Sequence, residues 1–156
     1  MAASTSRGYL RLTLQADSDG TGQLSVEISV AGFAGVGSAW FDLHRLEEFA
    51  QSLEAFPLPS VDPPTLEGGF WRMDGKALEQ RHVRLIFKPA NRRGTIGVRV
   101  ELATPLWEGD RPESQKELGL EAYIDYASLQ RFAADFTQLA RGEVTEALVL
   151  VEERRD

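Results

Sequence analysis

The chain of 156 residues contains no cysteine, which excludes disulfide bonds and thiol chemistry. It has only two histidines, His44 and His82, and neither stands in the spaced pattern of a zinc site. No apolar run approaches the ~20 residues that a membrane-spanning helix needs. The start, MAASTSRGYL, lacks the apolar core of a secretory signal. We therefore expect a cytoplasmic protein with no metal, no cofactor and no membrane partner.

Basic residues are also scarce relative to acidic ones, since 17 Lys and Arg face 24 Asp and Glu and leave a formal net charge of −7. A nucleic-acid partner is not expected, because binding phosphates needs clustered Lys and Arg. The acidity either serves solubility alone or steers a basic protein partner. A 42% apolar fraction is typical of one folded domain over residues 1–156, with frayed ends at about 1–7 and 152–156.

Catalytic motifs are missing as well. The stretch DSDGTGQ resembles a calcium loop, but Ile28 stands where the bidentate glutamate belongs. The stretch GFAGVGS has glycines in the wrong order for a phosphate loop, and we expect a bulge or tight bend there. No serine lies in a nucleophile elbow. The sequence thus predicts no catalytic residue, and we expect that the protein is not an enzyme.

Two segments resemble each other: AWFDLHRLEEFAQSLEAF, residues 39–56, and AYIDYASLQRFAADFTQL, residues 122–139. They align without a gap, and each places apolar residues at the spacing of one helix face. These residues are Leu46, Phe49, Leu53 and Phe56 in the first segment, and Leu129, Phe132, Phe136 and Leu139 in the second. Asp42 and Asp125 precede the two patterns and are expected to be helix N-caps.

Alternating apolar residues before each helix predict β-strands. In each half a hairpin and a third strand lead into the helix, and a further strand follows it. The last of these, ALVLV, fits a strand or a helix extension. We therefore predict an α+β fold with a duplicated β-hairpin–strand–helix unit, in halves of about 8–74 and 80–151. The expected architecture is a twisted, mainly antiparallel sheet of about six to eight strands with both helices on one face.

Aromatic residues are the best indication of function. By strand alternation, Trp40 and Tyr123 lie on the sheet face opposite to the helices, with Trp71 as a candidate neighbour. Tyr and Trp are enriched in protein interfaces. Alternatively, the loops at residues 57–67 or 106–117 cover them. Arg92 and Arg93 form a basic turn, which is either simply solvated or a second contact.

The two segments, each with an aromatic residue and aspartate before an L-x-x-F-A helix, resemble the WapI-family immunity proteins. The residues concerned are Trp40, Asp42, Leu46, Phe49 and Leu53, then Tyr123, Asp125, Leu129 and Phe132. The resemblance implies a small bacterial protein that neutralises a toxin, so the leading hypothesis is a non-enzymatic protein-binding domain that occludes a basic partner. The alternative is a structural domain that forms homodimers through the exposed sheet face.

Overall fold

The computed structural model describes residues 7–153, and most of the ends predicted to be frayed lie outside that range. It contains eight strands and two helices, which confirms an α+β fold with antiparallel sheets. The elements are β1 (Gly8–Ala16), β2 (Thr21–Val30), β3 (Phe33–Asp42), α1 (Leu43–Ser52), β4 (Thr65–Trp71), β5 (Leu78–Pro89), β6 (Thr95–Ala103), β7 (Glu117–Asp125), α2 (Tyr126–Ala140) and β8 (Glu146–Val151). The segment ALVLV is therefore a strand.

The strands form two four-stranded sheets, where a single sheet was expected. The first sheet has the order β3-β2-β1-β8 and the second has the order β4-β5-β6-β7. The first sheet consists of the meander β1-β2-β3 and of β8, the strand that follows α2 of the second half. The second sheet consists of the meander β5-β6-β7 and of β4, the strand that follows α1 of the first half. The predicted order of hairpin, strand and helix thus occurs in both halves. Its origin in a duplication stays a prediction.

Strand β3 crosses the whole second sheet. A β-carbon at Gly35 would contact Leu118 of β7, and one at Gly37 would lie 3.1 Å from both the His82 carbonyl oxygen of β5 and the Leu102 side chain of β6. A β-carbon at Gly68 of β4 would in turn meet β3, where Ala39 and Phe41 lie. The two sheets therefore pack with their strands at a steep angle.

The glycines of GFAGVGS serve this close approach. The expected bulge is wrong, because β2 and β3 pair without interruption from Thr21↔Asp42 to Val30↔Phe33. The other expected alternative, a tight bend, is confirmed at the start of the stretch, where Ala31 and Gly32 form a two-residue turn with φ angles of 55° and 84°, those of a tight hairpin.

The helices close the core between the sheets. Phe49 of α1 lies 6.0 Å from Phe87 of β5 and 5.9 Å from Phe136 of α2, measured between ring centroids. The predicted caps are confirmed, since Asp42 accepts from the His44 N–H at 3.0 Å and Asp125 from the Ser128 N–H at 2.8 Å.

One position of the predicted helix stripe is wrong. Helix α1 ends at Ser52, so Phe56 lies beyond it, is 73% exposed and contacts the Tyr126 ring instead of the core.

Candidate functional site

The predicted aromatic residues do not share a surface. Alternation along β3 is as expected, with Ala39 and Phe41 buried and Trp40 52% exposed on the outer face of the first sheet. Tyr123 lies on the outer face of the second sheet and is half-buried. Its hydroxyl donates to Glu121 at 2.8 Å, and this bond, aided by burial, raises the pKa of Tyr123. The expectation that one sheet face presents both residues is therefore wrong.

The remaining predicted residues lie at opposite ends of the second sheet. Arg92 and Arg93 are exposed in the turn between β5 and β6, where the Arg93 N–H donates to the Asn91 side chain at 2.7 Å. Tyr123 lines a cavity next to this turn. Trp71 is exposed at the far end of β4. Trp40 and Trp71 consequently belong to one side of the molecule, and Tyr123, Arg92 and Arg93 to the other.

The sheet edges differ in how they are closed. Strands β7 and β8 are joined where Tyr123 and Glu152 exchange two backbone hydrogen bonds of 3.0 and 2.9 Å. The β4 edge is short and irregular, with register shifts at Gly68/Gly69 and Phe70/Trp71. Strand β3 has ten residues, a continuous register and neither a charge nor a proline from Phe33 to Phe41. It therefore lacks the features that normally protect a strand edge.

The pairing register of β3 with β2 determines which backbone N–H and C=O groups of β3 point away from β2. Val30 and Phe33 close a two-residue hairpin and thus exchange hydrogen bonds, and the Leu43 N–H donates to the Gly20 carbonyl at 2.9 Å. Odd-numbered residues of β3 therefore bond to β2. The N–H and C=O groups of Ala34, Val36, Ser38 and Trp40 point away from β2, and within residues 7–153 no hydrogen bond reaches them.

A groove runs along this open edge, because the second sheet extends beyond β3. One part is a cavity of about 580 Å³ between residues 32–36 and the adjoining ends of β6 and β7, including Leu102 and Leu118. A second cavity of about 590 Å³ lies at the ends of β4 and β5, lined by Phe70, Gln80 and Trp107. We call the β3 edge from Phe33 to Trp40 together with these two cavities the β3 groove.

The floor of the β3 groove is held by Gln80. Its side-chain amide accepts from the Leu106 N–H at 2.9 Å and donates to the Leu106 carbonyl at 2.8 Å, as a neighbouring strand would. The same Gln80 oxygen lies 2.9 Å from His82 Nε2. The ring of Phe70 lies 4.6 Å from that of His82 and 5.0 Å from that of Trp107. Burial lowers the pKa of His82, so the ring stays neutral and donates to Gln80.

Exposed apolar side chains concentrate at this groove. Of the ten large hydrophobic residues that are exposed in the described part of the chain, six lie on β3 or at the adjoining end of the second sheet. They are Phe33, Val36, Trp40, Trp71, Met73 and Trp107, and they include all three tryptophans of the protein. Such clustering is typical of an interaction surface.

The rim of the β3 groove is acidic. Glu79 and Glu108 line the cavity at the ends of β4 and β5 and, among the residues described, neither forms an ion pair. The lining of the other cavity includes Lys116 and Glu117, but Glu117 alternates onto the outer face of the second sheet, where it lines a further cavity with Arg81 and Arg99. The arginines nearby are directed elsewhere: Arg81, Arg84 and Arg99 surround Glu101 on the outer face of the second sheet at 2.9, 3.6 and 3.1 Å.

The Glu101 carboxylate is stabilised by these arginines. Partial burial is the largest single effect and raises the pKa of Glu101, but the Arg99 hydrogen bond and the charges of Arg84 and Arg81 together outweigh it. The net pKa is lowered, so Glu101 stays ionised and fixes the three guanidinium groups away from the β3 groove.

Sequence reasoning found Trp40 and Trp71 but missed most of the groove. Phe33, Val36 and Trp107 carry no pattern of their own. The available signal was the alternation of Gly35, Gly37 and Ala39, which places small residues on one face of a strand and permits close contact with another sheet.

Comparison of the chain with known protein families, with curated proteins and with solved structures found no match in any of the three. Across residues 7–153, no group of three or more His, Asp or Glu side chains is arranged to hold a metal ion. None of the helices described is both long enough and apolar enough to cross a bilayer.

Proposed function

We propose that the protein is a protein-binding domain and that the β3 groove is its binding surface. The observation behind the proposal is the coincidence of an unprotected strand edge with exposed Phe33, Val36 and Trp40. Unpaired N–H and C=O groups offer hydrogen bonds to an incoming chain, and the adjoining aromatic residues offer apolar contact area. In this proposal the domain acts by covering part of its partner and catalyses no reaction itself.

A role in neutralising a toxin is the form of this function that the resemblance to WapI-family immunity proteins implies. We propose it together with a cytoplasmic location, which suits a chain without cysteine. The net charge of −7 and the acidic rim favour a basic protein as the partner over a nucleic acid.

The outer face of the first sheet does not support homodimer formation in the way that the sequence suggested. Its centre is polar, with Arg11 paired to Glu27 at 3.3 Å and Gln23 beside Trp40. Obligate dimer interfaces are more apolar than this. Apolar residues on that face lie at its two edges, where Trp40 and Leu150 are found.

The test compares two exposed aromatic residues. Wild type, Trp40→Ala and Phe56→Ala are immobilised at equal density, and proteins retained from a native lysate are quantified by mass spectrometry. Truncating an interface tryptophan typically weakens binding at least about tenfold. A partner retained by wild type and Phe56→Ala but lost from Trp40→Ala supports the proposal. Equal retention by Trp40→Ala contradicts it, as would a homodimer in light scattering that Trp40→Ala dissociates.

A further inference from the structure

We propose that the β3 groove binds its partner by strand addition, accepting one extended segment with alternating apolar and basic side chains as a fifth strand of the first sheet. This deepens the proposed function, on which it rests, by naming the chemistry of the partner. The alternative occupant, a second copy of this chain, is disfavoured by the shape of the groove.

The hydrogen-bonding groups of β3 fix the geometry of the added strand. Ala34, Val36, Ser38 and Trp40 each direct one N–H and one C=O to the open side. An antiparallel segment of about seven residues, some 24 Å long at ~3.4 Å per residue, pairs with all four. Every neighbouring pair in the first sheet is antiparallel, so such a segment continues the existing twist and spacing.

The side chains of the added strand face two different environments. Side chains of the added strand that lie opposite Val36 and Trp40 project from the outer face of the first sheet, next to these two residues. Apolar or long basic side chains are accommodated there. Alternate ones point to the floor, where Leu102, Leu118 and Phe70 form apolar walls. An extended segment whose successive side chains face alternately the outer face and the floor therefore fits the groove. A helix does not fit, because its backbone N–H and C=O groups are not available to pair with the edge of β3.

The rim charges select for a basic segment. Glu79 and Glu108 lie at the end of the groove formed by β4 and β5, with no described ion pair to compensate them. A lysine or arginine near this end of the added strand reaches these two carboxylates, whereas an acidic side chain is repelled. At the other end the described lining includes Lys116, so the selection for basic side chains acts at the end formed by β4 and β5.

Symmetric pairing of β3 with β3 of a second copy is blocked by the second sheet. When two β3 strands pair antiparallel about a two-fold axis perpendicular to the sheet, the first sheets of both copies turn the same face to the same side. The second sheets of both copies therefore lie together on one side of the paired strands. Beyond its contact with β3 at Gly68, β4 continues to Trp71. The β4–β5 hairpin thus reaches about 10 Å past β3 and occupies the space that the second copy needs.

The experiment uses two capped octapeptides of alternating valine with lysine or with glutamate, titrated to millimolar concentration into full-length ¹⁵N-labelled protein. Amide exchange is followed by NMR. In the free protein, the amides of residues 34, 36, 38 and 40 should exchange fast and those of residues 35, 37 and 39 slowly. The lysine peptide should protect the even-numbered amides, and the glutamate peptide should bind at least about tenfold more weakly.

Two variants at one position isolate the backbone contact. Ser38→Pro removes an outward N–H without touching the bonds to β2, and proline is tolerated at such edge positions. Ser38→Val keeps the N–H and adds a side chain of similar size. Binding of the lysine peptide should be lost in Ser38→Pro and kept in Ser38→Val, with the fold of each checked by circular dichroism and urea unfolding.

Each of the other possible results of these titrations would contradict one specific part of the proposal. If neither peptide protects the even-numbered amides of wild type while Trp40→Ala abolishes capture of a protein, strand addition is wrong and the proposed function stands. If both peptides bind equally, selection for a basic segment is wrong. If those amides become protected on raising the protein concentration alone, the occupant is a second copy.

Discussion

The two edge strands β3 and β4 cross each other at Gly68, where the two sheets pack together, yet their edges are built in opposite ways. Strand β4 has seven residues, two register shifts and Glu67 in its middle. Strand β3 has ten residues, none of these interruptions, and exposed Phe33, Val36 and Trp40. Since irregularity and charge are the usual protection of a strand edge, their absence from β3 is the contrast on which the proposed binding role of this edge rests.

The largest effect is expected from moving β3 away from the second sheet. In Gly37→Val the new side chain meets the His82 carbonyl and Leu102, which a β-carbon alone already approaches to 3.1 Å. Overpacking at such a contact should lower the free energy of unfolding by about 2–3 kcal/mol, measured by urea denaturation.

The neighbouring position provides the control for this substitution. Ser38→Val adds the same side chain on the outer face of β3 and should change stability by less than about 0.5 kcal/mol. Equal losses in both variants would show that β3 does not depend on its glycine face for contact with the second sheet.

A smaller loss is expected from the floor of the β3 groove. Gln80→Ala removes two hydrogen bonds to the Leu106 backbone, of 2.8 and 2.9 Å, and should cost about 1–2 kcal/mol. The emission of Trp107, next to Leu106, should shift to the red as the loop loosens. Gln23→Ala, which loses only a 3.4 Å contact with Ser38, is the matched control for stability and should leave the free energy of unfolding unchanged.

Sequence patterns predicted the local structure of both strands but not the difference between their edges. Alternation placed Phe41 inside and Trp40 outside, and the aspartate before each helix predicted its cap. Patterns of this kind report which face of a strand is buried and not which strand lies beside it. The pairing of β1 with β8, and with it the division into two sheets, joins segments at opposite ends of the chain.

The candidate site was only partly predictable for the same reason. Trp40 and Trp71 were selected as exposed aromatic residues, but the groove beside them exists because β3 crosses β4, β5, β6 and β7. Tyr123 appeared equivalent to Trp40 from the repeat, and it ended on the other sheet because each half contributes its meander to a different sheet.

A pH dependence should arise from His82 on the floor of the groove. Burial lowers its pKa below the ordinary 6.5, so the folded state resists a proton that the unfolded chain accepts. The unfolded state therefore binds more protons just below pH 6.5, and the free energy of unfolding should fall as the pH decreases from there. Urea unfolding between about pH 5.5 and 7.5 measures this slope and avoids the more acidic range in which carboxylates titrate.

The variants of the two histidines separate this effect from others. His82→Gln should remove most of the slope, and His44→Gln, which deletes the exposed contact of 2.8 Å between His44 and Glu48, measures what the other histidine adds. A slope that persists in His82→Gln would mean that another group titrates on unfolding in this range.

The smallest effect on stability, and the sharpest comparison of an open with a closed edge, is expected from two lysine substitutions on the outer face of the first sheet. Val36 on β3 is 61% exposed and Leu150 on β8 is 51% exposed. Lysine at either position should change the free energy of unfolding by less than about 0.5 kcal/mol, because neither side chain contributes to the core.

Val36→Lys should nevertheless abolish binding of the valine–lysine peptide in the NMR titration, since it places a positive charge beside the added strand. Leu150→Lys should not alter that binding, because β8 already pairs with β1 and is joined to β7. If Leu150→Lys weakened the peptide as much as Val36→Lys, the binding site would be the outer face of the first sheet rather than the open edge of β3.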